Sequence, residues 1–257
     1  MIIEEITAAG AVDFSPHHHA FLNPYNGCPM NCPFCFWLSS PGWEGRILVK
    51  KNYPELLERY LEYEWDGGLL YLGSVCDPFM ELEKEYRLTE KCLELLKRYE
   101  APLMITTSAA SDVILEYAEL LKSMKQSPVI AAELSRIPLV EEMNRGGRHR
   151  GIERANALAA MGLKTWATLS PVLPGITDLG RVLVALKDTI PVYVDALRCE
   201  PGGIQQKRVM EWIRSDYPEL TELYERIAVE GEDIYFQSLL DIYKNSERVK
   251  TFPFEIQ

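Results

Sequence analysis

The sequence has no apolar stretch long enough to cross a membrane. A membrane-spanning helix needs about 20 consecutive apolar residues, and no run of that length occurs among the 257 residues. The first six residues, MIIEEI, are acidic and lack the basic region of a secretory signal. These absences predict a protein of the cytoplasm, a reducing compartment, that has no membrane partner.

Cysteine is also scarce. A disulfide framework belongs to short secreted chains that are dense in cysteine, so the count argues against one. The six cysteines are Cys28, Cys32, Cys35, Cys76, Cys92 and Cys199. The first three share one short segment and the other three are far apart, which leaves no cysteine-rich second domain for further metal centres. The sequence therefore predicts a single cysteine-bound metal centre.

Positive charge is in short supply as well. The chain has 27 Lys and Arg residues against 38 Asp and Glu residues, for a formal net charge of −11. Proteins that bind duplex DNA gain much of their affinity by neutralising phosphates with Lys and Arg. The balance disfavours a DNA partner. The basic segment at residues 145–154 (RGGRHRGIER) could still contact DNA locally, so a DNA partner is disfavoured but not eliminated.

Linkers rich in Gly, Pro or Ser, internal repeats and low-complexity runs are absent, so we expect one domain over residues 1–257. Short β-branched runs alternate with amphipathic helical stretches, which is the pattern of repeated β–α units around a parallel sheet. The predicted strands cover residues 19–23, 68–75, 102–107, 129–134, 163–169 and 192–197. Residues 201–257 form a C-terminal extension of helices, with one further strand predicted at residues 234–237.

Three cysteines follow one another with the spacing C-x3-C-x2-C, and an aromatic residue, Phe34, precedes the third. Soft thiolate ligands select iron–sulfur clusters or zinc. A structural site has four protein ligands, and no fourth cysteine lies near Cys28, Cys32 and Cys35. The segment therefore predicts a cluster that keeps one coordination position open. A zinc site, or a chance spacing that binds no metal, is the alternative.

This motif resembles the signature of the radical S-adenosylmethionine (SAM) enzymes. The longer string NPYNGC at residues 23–28 is similar to the branch related to spore photoproduct lyase, as are CDP at 76–78, EKEYRLT at 83–89 and PVLPGITD at 171–178. The resemblance covers about residues 20–200. It implies a partial (βα)6 barrel with a helical C-terminal extension, one 4Fe-4S cluster on the three cysteines, and SAM bound to the fourth iron.

The resemblance also implies SAM contacts on the cluster loop and at the first strand ends, since ligands gather at the carboxyl ends of parallel strands. Phe34 takes the position that packs near the SAM adenine, or is a core aromatic. Ser74 and Asp77 replace the usual Gly-Gly-Glu that holds the amino group, although Asp before Pro is also a common turn residue. Thr107 stands where this branch often has a lysine.

Further SAM contacts fall at the later strand ends. Glu133 resembles the ligand of the ribose hydroxyls, with an exposed surface charge as the alternative. Arg148 and Arg154 would replace the missing lysine charge, or lie in a solvated loop and helix start. The backbone of the loop around Val172 would hydrogen-bond the adenine edge, or its prolines simply end the strand.

Two cysteines outside the motif are candidate hydrogen-atom donors. Cys76 and Cys199 follow the second and sixth predicted strands, and spore photoproduct lyase uses a cysteine in this way. A thiol is also a small buried hydrophobe, which is the alternative for both. Cys92 shares a helical face with leucines and is expected in the core. The internal run at residues 17–19 is three consecutive histidines, which cannot all face one metal from an extended strand.

Three functions compete. The first is a radical SAM enzyme that cleaves SAM reductively to a 5′-deoxyadenosyl radical, which abstracts hydrogen from a small molecule or a peptide. It would receive its electron from a donor such as flavodoxin or ferredoxin. The second is a DNA-lesion lyase like spore photoproduct lyase. The third is an iron–sulfur protein that transfers electrons without catalysis.

Overall fold

The computed structural model describes residues 2–14, 19–39 and 45–252. The strands in these ranges are β1 (Ile2–Ile6), β2 (Val12–Phe14), β3 (Ala20–Leu22), β4 (Tyr25–Asn26), β5 (Arg46–Lys50), β6 (Leu70–Leu72), β7 (Leu103–Thr107), β8 (Val129–Glu133), β9 (Lys164–Leu169), β10 (Val192–Val194) and β11 (Val249–Thr251). The α-helices are α1 (Tyr53–Tyr63), α2 (Glu83–Tyr86), α3 (Leu88–Arg98), α4 (Val113–Glu116), α5 (Ala118–Lys122), α6 (Ile137–Asn144), α7 (Arg150–Ala160), α8 (Leu179–Ala185), α9 (Ile204–Asp216), α10 (Thr221–Tyr224) and α11 (Ile234–Tyr243). Short 3₁₀ turns lie at Phe36–Ser39 and Pro218–Leu220, and a π-helical turn lies at Glu225–Val229.

Eight of these strands form one sheet in the order β11-β10-β9-β8-β7-β6-β3-β2. All neighbouring pairs from β3 to β11 are parallel, and β2 joins the edge antiparallel to β3. The six predicted strands are present, in chain order, as β3, β6, β7, β8, β9 and β10. Parallel neighbours in chain order, joined by helices, are the product of repeated β–α units. The predicted α/β class with a parallel sheet is confirmed.

The strands are apolar because helices cover the sheet. Strand β8 reads VIAAE and four of its five residues are buried, as expected where a parallel sheet is shielded on both faces. Helix α3 places Leu88, Leu93 and Leu96 against the core, together with the fully buried Cys92. The prediction that Cys92 is a core residue is confirmed.

A second, smaller sheet supports the cysteine segment. It has the order β1-β5-β4, with β1 parallel and β4 antiparallel to β5. Its short strand β4 lies directly before the first motif cysteine, and Tyr25 in it pairs with Val49 of β5. The backbone that leads into the motif is thus held by strand pairing.

The C-terminal extension departs from the prediction at one point. Residues 234–237 (IYFQ) are not a strand but the start of helix α11. The run is rich in β-formers, yet Tyr235, Phe236, Leu239 and Leu240 pack at helical spacing against one core cluster. Tertiary packing overrides strand propensity here. The strand of this region is instead β11, which adds a seventh parallel strand beside β10.

The other helices of the extension cover the cysteine segment. Val209, Met210 and Ile213 of α9 lie in one core cluster with Cys32 and Phe34. Within the described parts of the chain, no helix combines the length and apolar character needed to span a membrane.

Candidate metal and cofactor site

The three motif cysteines lie on a loop that begins where β4 ends. Gly27 opens the loop with φ +100°, a conformation that favours glycine. A Cβ at this position would lie 2.2 Å from the carbonyl oxygen of Arg46 in β5, so the close approach of the two strands also requires glycine. The loop then turns through the backbone hydrogen bond from Cys35 N to the Cys32 carbonyl oxygen, at 3.1 Å.

All three thiols are free. Cys32 is buried, and Cys28 and Cys35 are partly buried. Burial raises the pKa of each thiol, and the charge of Arg136 opposes that rise in all three. Among the described residues, no group of three or more His, Cys, Asp and Glu side chains converges closely enough to hold a single metal ion. A cubane cluster takes each thiolate on a different iron, so its ligands lie farther apart than those of one ion.

Arg136 is the site residue that the sequence reasoning missed. It lies between β8 and α6, directly before Ile137, which packs in one buried cluster with Cys32. Its Nε is buried and has no hydrogen-bond partner. Burial opposes the charge on Arg136, but the neighbouring Cys32 and Cys28 thiols raise the pKa of its guanidinium above the usual value. A lone arginine in the apolar string SRIPLV, just after a predicted strand, was the available signal.

Asp77 connects the ends of β6 and β7. Its buried carboxylate accepts hydrogen bonds from Thr107 Oγ1 at 2.9 Å, from Ser108 N at 3.1 Å and from the Ser108 hydroxyl. It also accepts the amide of Phe79 at 3.0 Å, which is the turn that the alternative interpretation expected. The structure thus brings Asp77 and Thr107 together, with their polar atoms bonded to the protein itself.

Ser74 lies next to the segment that leads into the cysteine loop. Its hydroxyl contacts the side-chain amide of Asn23, whose Nδ2 lies 3.1 Å away. The Ser74 carbonyl accepts a hydrogen bond from Trp37 Nε1 at 3.1 Å. Ser74 therefore ties the end of β6 to residues on both sides of the motif.

Glu133 is buried, so the interpretation as an exposed surface charge is wrong. Its carboxylate accepts hydrogen bonds from Ser135 N at 2.9 Å, from the Ser135 hydroxyl and from Thr168 Oγ1 at 3.0 Å. It also lies close enough to Arg136 to act on its charge. Val172 is buried, and its amide donates to the Asp195 carbonyl at 2.8 Å.

The basic segment at residues 145–154 is neutralised by carboxylates. Arg148 is 89% exposed in its side chain and faces Glu153 at 3.7 Å. Arg154 is buried, and bonds Asp112 at 2.6 Å and the Ala109 carbonyl at 2.9 Å. The two remaining arginines of the segment also face carboxylates: Arg145 pairs with Glu141 and Arg150 with Glu142. Among the described residues, Arg136 is the cation whose charge acts on all three motif thiols.

Phe34 is buried in the core cluster that joins the cysteine loop to the C-terminal extension. Its carbonyl oxygen accepts a hydrogen bond of 2.6 Å from Nε2 of Gln205. Gln205 is buried on helix α9. Close by, Arg208 of the same helix donates to Asn31 Oδ1 at 2.9 Å. Helix α9 therefore holds the loop at two points, which no sequence motif indicated.

The two candidate donor cysteines differ in surroundings. Cys76 is 3% exposed, and its thiol donates to the Tyr25 carbonyl at 3.1 Å. Cys199 is partly buried, and burial raises the pKa of its thiol to about 11. Of the three consecutive histidines, His19 stacks on Tyr71 with ring centroids 5.1 Å apart. His17 and His18 lie outside the described residues.

These residues fit an iron–sulfur cluster with an open position. The donor set is three free thiols on one loop, and soft thiolates are the ligands that iron–sulfur clusters use. The orphaned Nε of Arg136 is a buried donor that needs an acceptor, because a buried unpaired polar group is costly. An anionic group bound at the loop would supply one.

Comparison with known sequences finds relatives of undetermined function. No protein-family model matches the chain. An uncharacterized protein of Methanocaldococcus jannaschii is 25% identical over 215 residues, which cover 79% of this chain and 78% of that one. An uncharacterized protein of Mycobacterium tuberculosis is 25% identical over 243 residues, covering 82% of this chain and 67% of the relative.

Comparison with solved structures finds two radical SAM enzymes. A doubly substituted spore photoproduct lyase with bound AdoMet and dinucleoside spore photoproduct matches with a TM-score of 0.57 and 14% identity, over 85% of this chain and 66% of that one. SuiB of Streptococcus suis bound to its precursor peptide SuiA matches with a TM-score of 0.53 and 16% identity, over 99% of this chain and 49% of SuiB. SuiB bound to SAM gives the same score.

The chain therefore has the fold of the radical SAM enzymes, and the predicted resemblance to them and to their spore photoproduct lyase-like branch is confirmed at that level. It spans just under two thirds of the length of spore photoproduct lyase and about half of SuiB.

Proposed function

We propose that the chain is a radical SAM enzyme with one 4Fe-4S cluster, held by Cys28, Cys32 and Cys35. The observation that carries this proposal is the set of three free thiols on one loop, on which the charge of Arg136 acts, in a fold shared with enzymes solved with bound SAM. When bound, the cluster and SAM would supply reductive SAM cleavage and a radical that abstracts hydrogen from the substrate. We further propose that the parallel sheet curves into a partial (βα)6 barrel.

The other predicted SAM contacts act mainly by shaping the site. Asp77 and Thr107 bond each other, and Glu133 is bonded by Ser135 and Thr168. Because their polar atoms already have partners, we propose that they hold the strand ends in position around SAM. Ser74 has the same role beside the loop.

Phe34 and Val172 would contribute apolar surface at the SAM site. Arg148 is exposed and Arg154 is committed to Asp112. We therefore assign the site cation to Arg136 instead of either of them.

We propose a peptide or a small molecule as the substrate in preference to a DNA lesion. The net charge is −11, and the basic segment that would contact phosphates is paired with carboxylates. The precursor peptide in the SuiB structure is a precedent for a peptide within this fold. The reaction is that of a lyase, an isomerase or an oxidoreductase. We propose flavodoxin or ferredoxin as the electron donor.

The test is anaerobic reconstitution with iron and sulfide. We expect about four irons and four sulfides per chain, as one cubane requires, a change in the paramagnetic resonance of the reduced cluster on addition of SAM, and 5′-deoxyadenosine after reduction. Cys32→Ala should lose both the iron and the SAM cleavage. Cys92→Ala is the matched control, because Cys92 is buried in another core cluster.

Three outcomes would contradict parts of the proposal. A triple variant of the motif cysteines that still binds four irons would remove the cluster site from this loop. If the paramagnetic resonance of the wild-type cluster does not change when SAM is added, the alternative of an electron-transfer protein is favoured. Tight, lesion-selective DNA binding at physiological salt would replace the peptide substrate with the DNA-lyase alternative.

A further inference from the structure

The start of helix α6 faces the cysteine loop. Arg136 is the residue that caps this helix, and its side chain makes no capping hydrogen bond. The amides of Leu139 and Val140 both bond the Arg136 carbonyl, and residue 138 is a proline, which has no amide hydrogen. Ile137 in the first turn packs in one buried cluster with Cys32, and its amide lowers the pKa of that thiol. The positive end of the helix dipole therefore lies beside a motif cysteine.

Arg136 adds a full charge to the same face. Its Nε is buried without a hydrogen-bond partner, and its charge lowers the pKa of the Cys28, Cys32 and Cys35 thiols. Among the described residues it lies in no ion pair; Glu133 acts on its charge from beyond ion-pair contact, and the Glu133 oxygens are bonded to Ser135 and Thr168. An arginine is always charged, and its buried Nε without an acceptor is costly. The pocket is thus built for an anion.

We propose that Arg136 and the amino terminus of α6 form a positive face against the cluster, which neutralises it during assembly and favours its reduced state. The inference rests on the proposed function. A 4Fe-4S cluster on three thiolates is anionic, and it gains a further negative charge when it takes one electron, with no bond made or broken. A fixed cation beside it stabilises the reduced form more than the oxidised form. The reduction potential is then higher than it would be without this face.

Two anions could accept hydrogen bonds from Arg136: the cluster with its thiolates, and the carboxylate of SAM. We propose the cluster as the partner of Arg136. The two are separated by measuring the cluster without SAM, and SAM affinity on its own.

The experiment compares the reconstituted wild-type chain with Arg136→Gln, Arg136→Lys and Ile137→Pro. Glutamine removes the charge, and lysine retains it. Proline removes the Ile137 amide while suiting the first turn of a helix, because Arg136 already has the extended backbone required before proline. Arg145→Gln is the matched control, since it removes the same charge from the exposed opposite end of the same helix. Iron and sulfide content, the potential from an SAM-free dithionite titration, SAM dissociation constants and circular dichroism are measured for each.

We expect Arg136→Gln to lower the equilibrium constant for reduction of the cluster at least tenfold, which lowers the reduction potential by about 59 mV for a one-electron couple. Alternatively, the variant should lose iron while keeping its fold. Arg136→Lys should restore most of the iron and of the potential, Ile137→Pro should lower the potential by less, and Arg145→Gln should match wild type. If Arg136→Gln matches wild type in both iron and potential, including the case in which only its SAM affinity falls, the inference is wrong and the proposed function stands. A wild-type chain that takes up no cluster overturns both. If Arg136→Gln does not fold, Arg136→Met takes its place as the charge-free variant, and wild-type iron and potential in both Arg136→Met and Ile137→Pro overturn the inference.

Discussion

Glu83 is a buried carboxylate on which the cysteine loop depends, and its removal is the sharpest test of the fold. Its side chain has no exposed surface. It accepts hydrogen bonds from the hydroxyl of Tyr25, from Tyr117 Oη at 3.2 Å, and from the amides of Thr89 and Glu90, both at 3.0 Å. The two amides belong to the first turn of α3, so Glu83 satisfies donors that a helix start leaves open. Tyr25 precedes the first motif cysteine by three residues.

The magnitude follows from the partners that Glu83→Ala would leave unpaired. Each buried donor left without an acceptor costs about 1–3 kcal/mol, and partial relaxation reduces the sum over four donors. We expect a loss of about 3–5 kcal/mol of unfolding free energy. For a chain of this size that is a fall in Tm of about 10 °C. Glu83→Gln retains one acceptor oxygen but turns an amide group toward the donors, so about 1–3 kcal/mol is expected.

Urea denaturation and calorimetry of the metal-free protein measure this loss. Glu85→Ala is the matched control, because Glu85 is an exposed glutamate two residues away on the same short helix. Iron uptake is the second readout, since a displaced Tyr25 should disturb the loop. If Glu83→Ala costs no more than Glu85→Ala, the carboxylate does not support the fold as argued.

Three further predictions follow from the site. Cys76→Ala should lower the free energy of unfolding by about 1–2 kcal/mol and leave the product unchanged in mass spectrometry if this thiol is only packed; a diverted product would instead identify it as the hydrogen donor. Gln205→Ala should reduce iron retention during gel filtration, because it frees a carbonyl of the cysteine loop, whereas Gln237→Ala on the exposed face of α11 should not; equal retention in both would refute the clamp by α9. Burial raises the pKa of the Tyr25 and Tyr53 hydroxyls above the usual value, so the folded state holds these protons more tightly than the unfolded chain. The free energy of unfolding should therefore be full below about pH 10 and fall as the pH rises beyond it. Urea midpoints on either side of about pH 10 test this, and a midpoint that does not fall would contradict it.

The local sequence pattern was enough to predict the order of the parallel strands and the position of the cysteine loop. Six apolar runs separated by amphipathic helices predict six parallel strands, because only that arrangement buries such runs on both faces. The spacing of Cys28, Cys32 and Cys35 is likewise contained in eight residues of sequence. Both features depend on residues that are close together in the chain, so they can be predicted from the sequence.

Other features depended on the partners that folding supplies. Residues 234–237 have strand propensity and became a helix, because Phe236 and Leu240 pack against a core formed by distant strands. The basic segment at residues 145–154 was predicted to supply a site cation, but Arg150 and Arg154 pair with carboxylates from other turns.

The sequence by itself determined the parallel α/β fold and the loop that carries the three motif cysteines. Only the tertiary structure decided what surrounds them: the Arg136 charge beside the thiols, Gln205 on the loop backbone and Glu83 beneath Tyr25. Each of these residues is an ordinary polar side chain in its own segment. It gains its role because burial removes water and leaves a specific partner, and burial is a property of the assembled fold.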